Sequence, residues 1–234
     1  MIRLASYNVH KCIGIDRRRS PERILQVILS LNADIVALQE VDHRIGTRPE
    51  ALPRALIAEA TGYHVAGHAT GARSLGWHGQ AILVRRDFAI RHEARIDLPG
   101  LEPRGAILAE VDTPEGPLRV VGVHLGLIRR SRLQQLKTIR RAITQRPDLP
   151  TAIAGDWNEW SRKGGTEPLA EAFHIHAPGP SFPAVRPVGR LDRIAVAQGA
   201  ALAASGVCRH ATARMASDHL PVWADLTLPG GTGG

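Results

Sequence analysis

Short apolar segments recur along the 234-residue chain, and their spacing constrains the fold more than any other feature. Eight of them read as strands: Ile2–Asn8, Ile35–Gln39, Ala81–Arg85, Ala106–Val111, Arg119–His124, Thr151–Ala154, Arg193–Ala197 and Val222–Leu226. Their mixture of alternating and continuous apolar residues fits sheets covered on one face or on both. Helical patterns lie between them. Ser20-Pro21 places a capping side chain before a proline at the first helical position, and Ile24, Leu25, Ile28 and Leu31 then share one face. A second helix is expected over Glu50–Ala60 and a third over Ser131–Gln145, where Leu133, Leu136, Ile139 and Ile143 form a stripe flanked by cations such as Arg140. Strands outnumber helices, and some are joined by turns as short as Arg86-Asp87. That favours a mixed α/β sandwich over a purely parallel, doubly wound sheet.

With 44% hydrophobic residues the chain can bury one large core, so a single domain over residues 1–228 is expected, with the terminal PGGTGG (229–234) as a flexible tail. No run of eighteen apolar residues is present, and MIRLASYNVH alternates like a strand instead of opening as a signal peptide. Cys12 and Cys208 make neither a disulfide framework nor a metal-binding pair, so a soluble cytoplasmic protein with reduced thiols is expected. The net charge of +8 and pI of about 10.6 favour a phosphate-bearing partner. Of the 30 basic residues, however, 27 are arginine, and with the many Ala, Gly and Pro residues this composition also fits GC-rich coding. No helix-turn-helix or zinc pattern supports a DNA-binding regulator.

Function is concentrated where apolar runs end. Leu4–Tyr7 runs into Asn8, the second strand into Glu40, and Val120–Val123 into His124. Ala152–Gly155 runs into Asp156, with Asn158 beyond, and Asp218-His219 precedes the last strand. Loops at strand ends, held by a rigid sheet, commonly carry catalytic groups. Glu40, Asn8 and Asp218 are hard oxygen donors suited to Mg²⁺ or Mn²⁺, and no Cys/His cluster competes for zinc. Two histidines and a further carboxylate are then available for proton transfer or phosphate contact. Cleaving a phosphoester needs charge neutralisation, an aligned water and a stabilised leaving oxygen, and this inventory supplies all three.

The motifs SYNVH (Asn8), LQEVD (Glu40), GVHLGL (His124), AGDWNEW (Asp156, Asn158), RLDRIAV (Asp192) and ASDHLPV (Asp218, His219) span nearly the whole chain. In this order they resemble the endonuclease/exonuclease/phosphatase (DNase I-like) family, nearest to a branch of small bacterial members. The resemblance implies a four-layer α/β/β/α sandwich with two mixed, mainly antiparallel sheets packed face to face. It implies that Glu40 binds an essential Mg²⁺ or Mn²⁺ with Asn8 and Asp218 close by. Asp156 would align or deprotonate the attacking water, Asn158 would hold a phosphate oxygen and orient Asp156, and His219 paired with Asp192 would contact the scissile phosphate. In an alternative assignment His219 is itself the general base. His124 matches a second histidine, a candidate acid for the leaving group; it could instead be a core histidine bonded to backbone. Gly79-Gln80 stands where many members have Gly-Asn, which leaves Gln80 as a secondary substrate contact.

Further contacts can be read from the residues alone. Arg129, Arg130 and Arg132 follow the His124 loop and could clamp phosphate or merely open a helix. Trp77, Trp157 and Trp160 fall in or beside loops and could stack on a base, touch a lipid or pack internally. Of the unassigned histidines, His43 and His78 are the ones expected near the cleft. The leading expectation is therefore a metal-dependent phosphodiesterase acting on nucleic acid. A phospholipid or small phosphoester is the alternative substrate. A catalytically dead phosphate-binding module is disfavoured because Glu40, Asp156 and His219 are all present.

Overall fold

The computed structural model describes residues 1–43, 46–66, 71–197 and 200–229 and contains two six-stranded sheets. The first runs β11 (Ala201–Val207), β12 (Val222–Thr227), β1 (Ile2–Asn8), β2 (Ile35–Gln39), β4 (Gln80–Arg85) and β3 (Tyr63–Ala66). The second runs β5 (Ala89–Leu98), β6 (Arg104–Thr113), β7 (Gly116–His124), β8 (Thr151–Asp156), β10 (Asp192–Ala197) and β9 (Phe173–His176). The β1–β2 and β7–β8 pairs are parallel, and the remaining described pairs are antiparallel.

Three apolar layers follow from the period-two alternation of these strands. Residues such as Ala5, Tyr7, Val36 and Leu38 face outward and pack against α1 (Pro21–Ser30), α2 (Arg54–Ala60) and α4 (Ala211–Ala216). On the far side Val121, Val123 and Ile153 meet Leu136, Ile139 and Ile143 of α3 (Arg129–Thr144). Ile2, Leu4, Ile35, Ile82, Ile107, Val120, Ala152 and Ile194 fill the space between the sheets. The result is the expected four-layer α/β/β/α sandwich. Ser20 caps α1, its hydroxyl accepting the Arg23 N–H at 3.2 Å.

The same alternation builds the polar rim. On β1 the inward series Ile2, Leu4 continues to Asn8; on β7 Leu118, Val120 continues to His124; on β8 Ala152, Ala154 continues to Asp156; on β10 Asp192 precedes Ile194 and Val196. Burying each large aliphatic member contributes about 1.5–3 kcal/mol, so polar groups on this face persist only where they satisfy one another. Register aligns them, with His124 opposite Asp156 and Asp156 opposite Asp192 in the second sheet. Asn8 lies opposite Gln39, and Gln39 opposite Gln80, in the first.

Several expectations need correction. β3, β5, β9 and β11 were not predicted, and each is the edge of its sheet. Edge strands bury little, as the mostly exposed β5 and β11 show, so they lack the apolar signal of central strands. The Arg86-Asp87 turn does not close a hairpin, because β4 and β5 belong to different sheets. The second helix begins at Arg54 instead of Glu50, behind Pro53, and the third begins two residues early, at Arg129. Its buried stripe includes Arg132 and Gln135, whereas Leu133 is only half-buried. Of the expected tail, residues 230–234 lie outside the described residues. Among the described residues no helix is long and apolar enough to cross a membrane.

Candidate active site

Asp156 is the hub. Its carboxylate is 2% exposed, and Gly155 is obligatory just before it, since a Cβ there would lie 1.9 Å from the Val123 carbonyl oxygen. Oδ1 accepts the backbone N–H of Asn158 at 2.9 Å, a turn that Asn158 closes in left-handed backbone (φ 49°). The Asn158 amide then donates to the Leu125 carbonyl at 2.9 Å. Oδ2 accepts Asn8 Nδ2 at 3.1 Å, joining the two sheets, and lies 3.5 Å from His124 Nε2 and 3.6 Å from His219 Nε2. Behind His219, its Nδ1 sits 2.9 Å from Asp192 Oδ2, which also accepts the Ser181 hydroxyl at 2.5 Å. Ser217 ties the corner together by donating to the Asn8 carbonyl at 2.7 Å and accepting the His219 N–H at 3.3 Å. Phe182 covers the His219 ring at 4.8 Å between centroids.

Charge follows from this packing. Burial raises the Asp156 carboxyl to about 6, with nearby Asp192 adding to the rise, while His219 and the Asn158 and Asn8 donors oppose it. Burial alone would favour a neutral His219. The flanking Asp192 and Asp156 carboxylates outweigh it and hold the imidazole at about 10, so it is cationic at neutral pH. A basic carboxylate and an imidazolium thus stand 3.6 Å apart.

Glu40 lies just past β2 in left-handed backbone (φ 56°). Its carboxylate is paired with the Lys11 ammonium, so it already attracts a cation. It lines a cleft of about 140 Å³ together with His43, Arg48, His78, Arg104 and His124. The Asn8 oxygen accepts the His10 N–H at 3.1 Å, and His10 Nδ1 stands 3.7 Å from Asp218. Among the described residues no three His, Cys, Asp or Glu side chains converge as a metal cluster. One buried-edge carboxylate, one amide oxygen and one half-exposed carboxylate nevertheless fit Mg²⁺ or Mn²⁺, which keep several waters and take few protein ligands.

The expected substrate contacts divide. Arg129 and Arg130 are exposed beside the His124 loop, Arg129 pairing with Glu167 at 3.0 Å. Arg132 is buried, donating to the Gly126 and Leu127 carbonyls and to Glu159 Oε2, so it shapes the loop and is not available as a clamp. Gln80 is 1% exposed, and its amide nitrogen is committed to the Gly105 carbonyl of the facing sheet. Trp157 is fully buried in the core beneath α3 and has no ring face for a substrate. The alternation explains it: with Asp156 turned inward, its neighbour turns outward into the helix layer. Trp77 is half-buried under Arg95, whose guanidinium lies 4.6 Å from its ring centroid, leaving Trp160 as the exposed member. His43 and His78 do line the cleft. Lys11, Ser181 and Ser217 were not anticipated. Lys11 and Ser217 stand inside or beside the SYNVH and SDH motifs, whereas Ser181 carries no sequence signal.

The sequence profile described as the Endonuclease/Exonuclease/phosphatase family matches residues 5–219. The chain belongs to this family. "Uncharacterized protein YbhP" of Escherichia coli K12 is 27% identical over 245 residues, covering 97% of this chain and 96% of its own. Family membership agrees with the shared architecture of solved structures. The mannosyl-6-phosphatase of Bacteroides thetaiotaomicron superimposes with a TM-score of 0.75 at 18% identity, over 97% of this chain and all of its own. TDP2 from D. rerio, complexed with a single-strand DNA product, does so with a TM-score of 0.71 at 16% identity, over 97% and 98%. At these identities the likeness concerns the fold.

Proposed function

We propose that this protein is a divalent-metal-dependent phosphodiesterase that cleaves by in-line attack of a water activated at Asp156. The observation that carries the reading is the convergence on one buried carboxylate of Asn8, Asn158, His124 and His219, with His124 also lining the cleft that holds Glu40.

The water oxygen attacks phosphorus as its proton passes to Asp156, and the bond to the leaving oxygen breaks on the opposite side. Elevation to about 6 makes Asp156 a stronger base than an ordinary carboxylate while leaving it ionised at neutral pH. The Asn158 N–H and the Asn8 amide orient its two oxygens. His219, held cationic by Asp192, places Nε2 against a non-bridging phosphate oxygen and neutralises charge there. Its raised pKa supports this role over that of general base, which requires a neutral ring. His124, whose Nε2 lies 3.5 Å from Asp156 Oδ2, would contribute a second imidazole on the attack side of the phosphate. Glu40, Asn8 and Asp218 would hold Mg²⁺ or Mn²⁺. That ion would supply Lewis-acid neutralisation of the phosphate and leaving oxygens.

For the substrate, nucleic acid was the leading expectation, from the basic charge and the loop tryptophans. Burial of Trp157 and coverage of Trp77 remove most of the aromatic support. The reaction itself is tested by chelation and metal add-back across supercoiled plasmid, an abasic duplex, phospholipid and a soluble phosphodiester. Hydrolysis that vanishes with chelator and returns with Mg²⁺ or Mn²⁺ supports the reading; turnover indifferent to chelator overturns it.

A further inference from the structure

Exposed apolar side chains in this protein are distributed unevenly. Among the described residues four such side chains lie elsewhere: Met1 before β1, Ile15 between β1 and α1, Leu29 on α1 and Met215 on α4. Six others stand in loops that carry the site: Leu101 (88% exposed), Leu127 (67%), Ile128, Trp160 (61%), Val185 and Val188. Leu127 and Ile128 follow His124 through Leu125, whose N–H bonds the Asp156 carbonyl at 2.9 Å. Leu101 adjoins Glu102, which accepts the Leu127 N–H at 3.1 Å and lines the Glu40 cleft. Trp160 is two residues beyond Asn158 and meets Phe182, the ring that covers His219, at 6.1 Å. Val185 and Val188 lie between Phe182 and Asp192.

Three of these loops carry exposed cations beside their apolar tips. Leu127-Ile128 is followed by Arg129-Arg130, Trp160 by Arg162-Lys163, and Arg186 sits between Val185 and Val188. Three separate loops therefore repeat one pattern, apolar tips with basic residues beside them, around one catalytic mouth. Contiguous exposed apolar surface is a liability unless something covers it. Leucine, isoleucine and valine cannot stack on bases, so only Trp160 and the cations would serve a nucleic acid and five of the six apolar tips would go unused. A bilayer uses both: apolar tips enter below the headgroups, a tryptophan rests at the interface, and cations meet anionic headgroups.

We propose that the catalytic rim docks on an anionic phospholipid surface and that the site acts there on headgroup phosphoesters. The catalytic half rests on the hydrolytic reading above; the docking half does not. The experiment is co-sedimentation with vesicles of phosphatidylcholine alone or containing phosphatidylglycerol, read without turnover. The protein should bind the phosphatidylglycerol vesicles, more weakly at high salt, and its tryptophan emission should shift to the blue, an effect lost in Trp160→Phe. Leu127→Asp with Val188→Asp should weaken binding about tenfold or more, with unchanged circular dichroism. Leu29→Asp should leave binding intact. Failure to bind phosphatidylglycerol vesicles overturns the proposal, as does binding indifferent to the double substitution. So does a double variant that loses affinity for single-stranded DNA instead. Failure to hydrolyse a soluble phosphodiester would count against the hydrolytic reading alone.

Discussion

Asp192→Asn tests how the buried pair sets the charge of His219. Asp192 Oδ2 lies 2.9 Å from His219 Nδ1, and both side chains are nearly inaccessible. At an effective dielectric of about 20, unit charges about 4 Å apart attract by about 4 kcal/mol, which corresponds to about three pH units of basicity. Asp156, 3.6 Å from Nε2, remains in the variant and continues to favour the cation. That contribution is common to both proteins, so the midpoint should fall from about 10 by about three pH units. The assay is NMR titration of the His219 ring, assigned by comparison with His219→Gln, alongside the pH dependence of kcat/KM. If the imidazolium contacts phosphate, the alkaline loss of activity moves to lower pH in Asp192→Asn. If the neutral ring were the base, activity would instead rise earlier on the alkaline side. Stability follows the same sign. His219 is more basic folded than unfolded, so its stabilisation is full below about 6.5 and lost as pH rises toward 10. Asp192→Asn should flatten that decline. A midpoint within half a pH unit of the wild type would refute the charge assignment.

Two further outcomes follow. Glu40→Gln should weaken Mn²⁺ binding at least about tenfold by calorimetry, because the amide keeps the shape and removes the anionic donor; unchanged affinity would place the ion elsewhere. Trp157→Ala should lower stability by about 3–5 kcal/mol in denaturant titration, as expected of a fully buried aromatic, whereas a loss confined to substrate affinity would restore it to the cleft.

What could be read from the sequence, and what could not, divides along burial. The central strands are buried on both faces, so β1, β2, β7 and β8 announce themselves as apolar runs, and the polar residue ending each run marks the rim. Register puts His124, Asp156 and Asp192 side by side in one sheet, Asn8 reaches Asp156 across the sheet interface, and His219 arrives from the loop before β12. The edge strands carry no comparable run: β5 is held by pairing to β6 and is largely solvated on its side chains. Gln80 and Trp157 were misjudged for a related reason. Proximity to a motif says nothing about which face a side chain takes, and both point into packed layers. Lys11 paired with Glu40, and Ser181 behind Asp192, depend on loop paths that no periodicity encodes.

The most direct measurement of the central claim compares wild type with Asp156→Ala on a soluble phosphodiester with Mg²⁺ or Mn²⁺ at neutral pH, thermal unfolding serving as the control for folding. Wild-type hydrolysis that falls by about three orders of magnitude or more in a variant that still folds is the predicted result. Undiminished hydrolysis by folded Asp156→Ala would contradict the assignment of this carboxylate as the group that activates water.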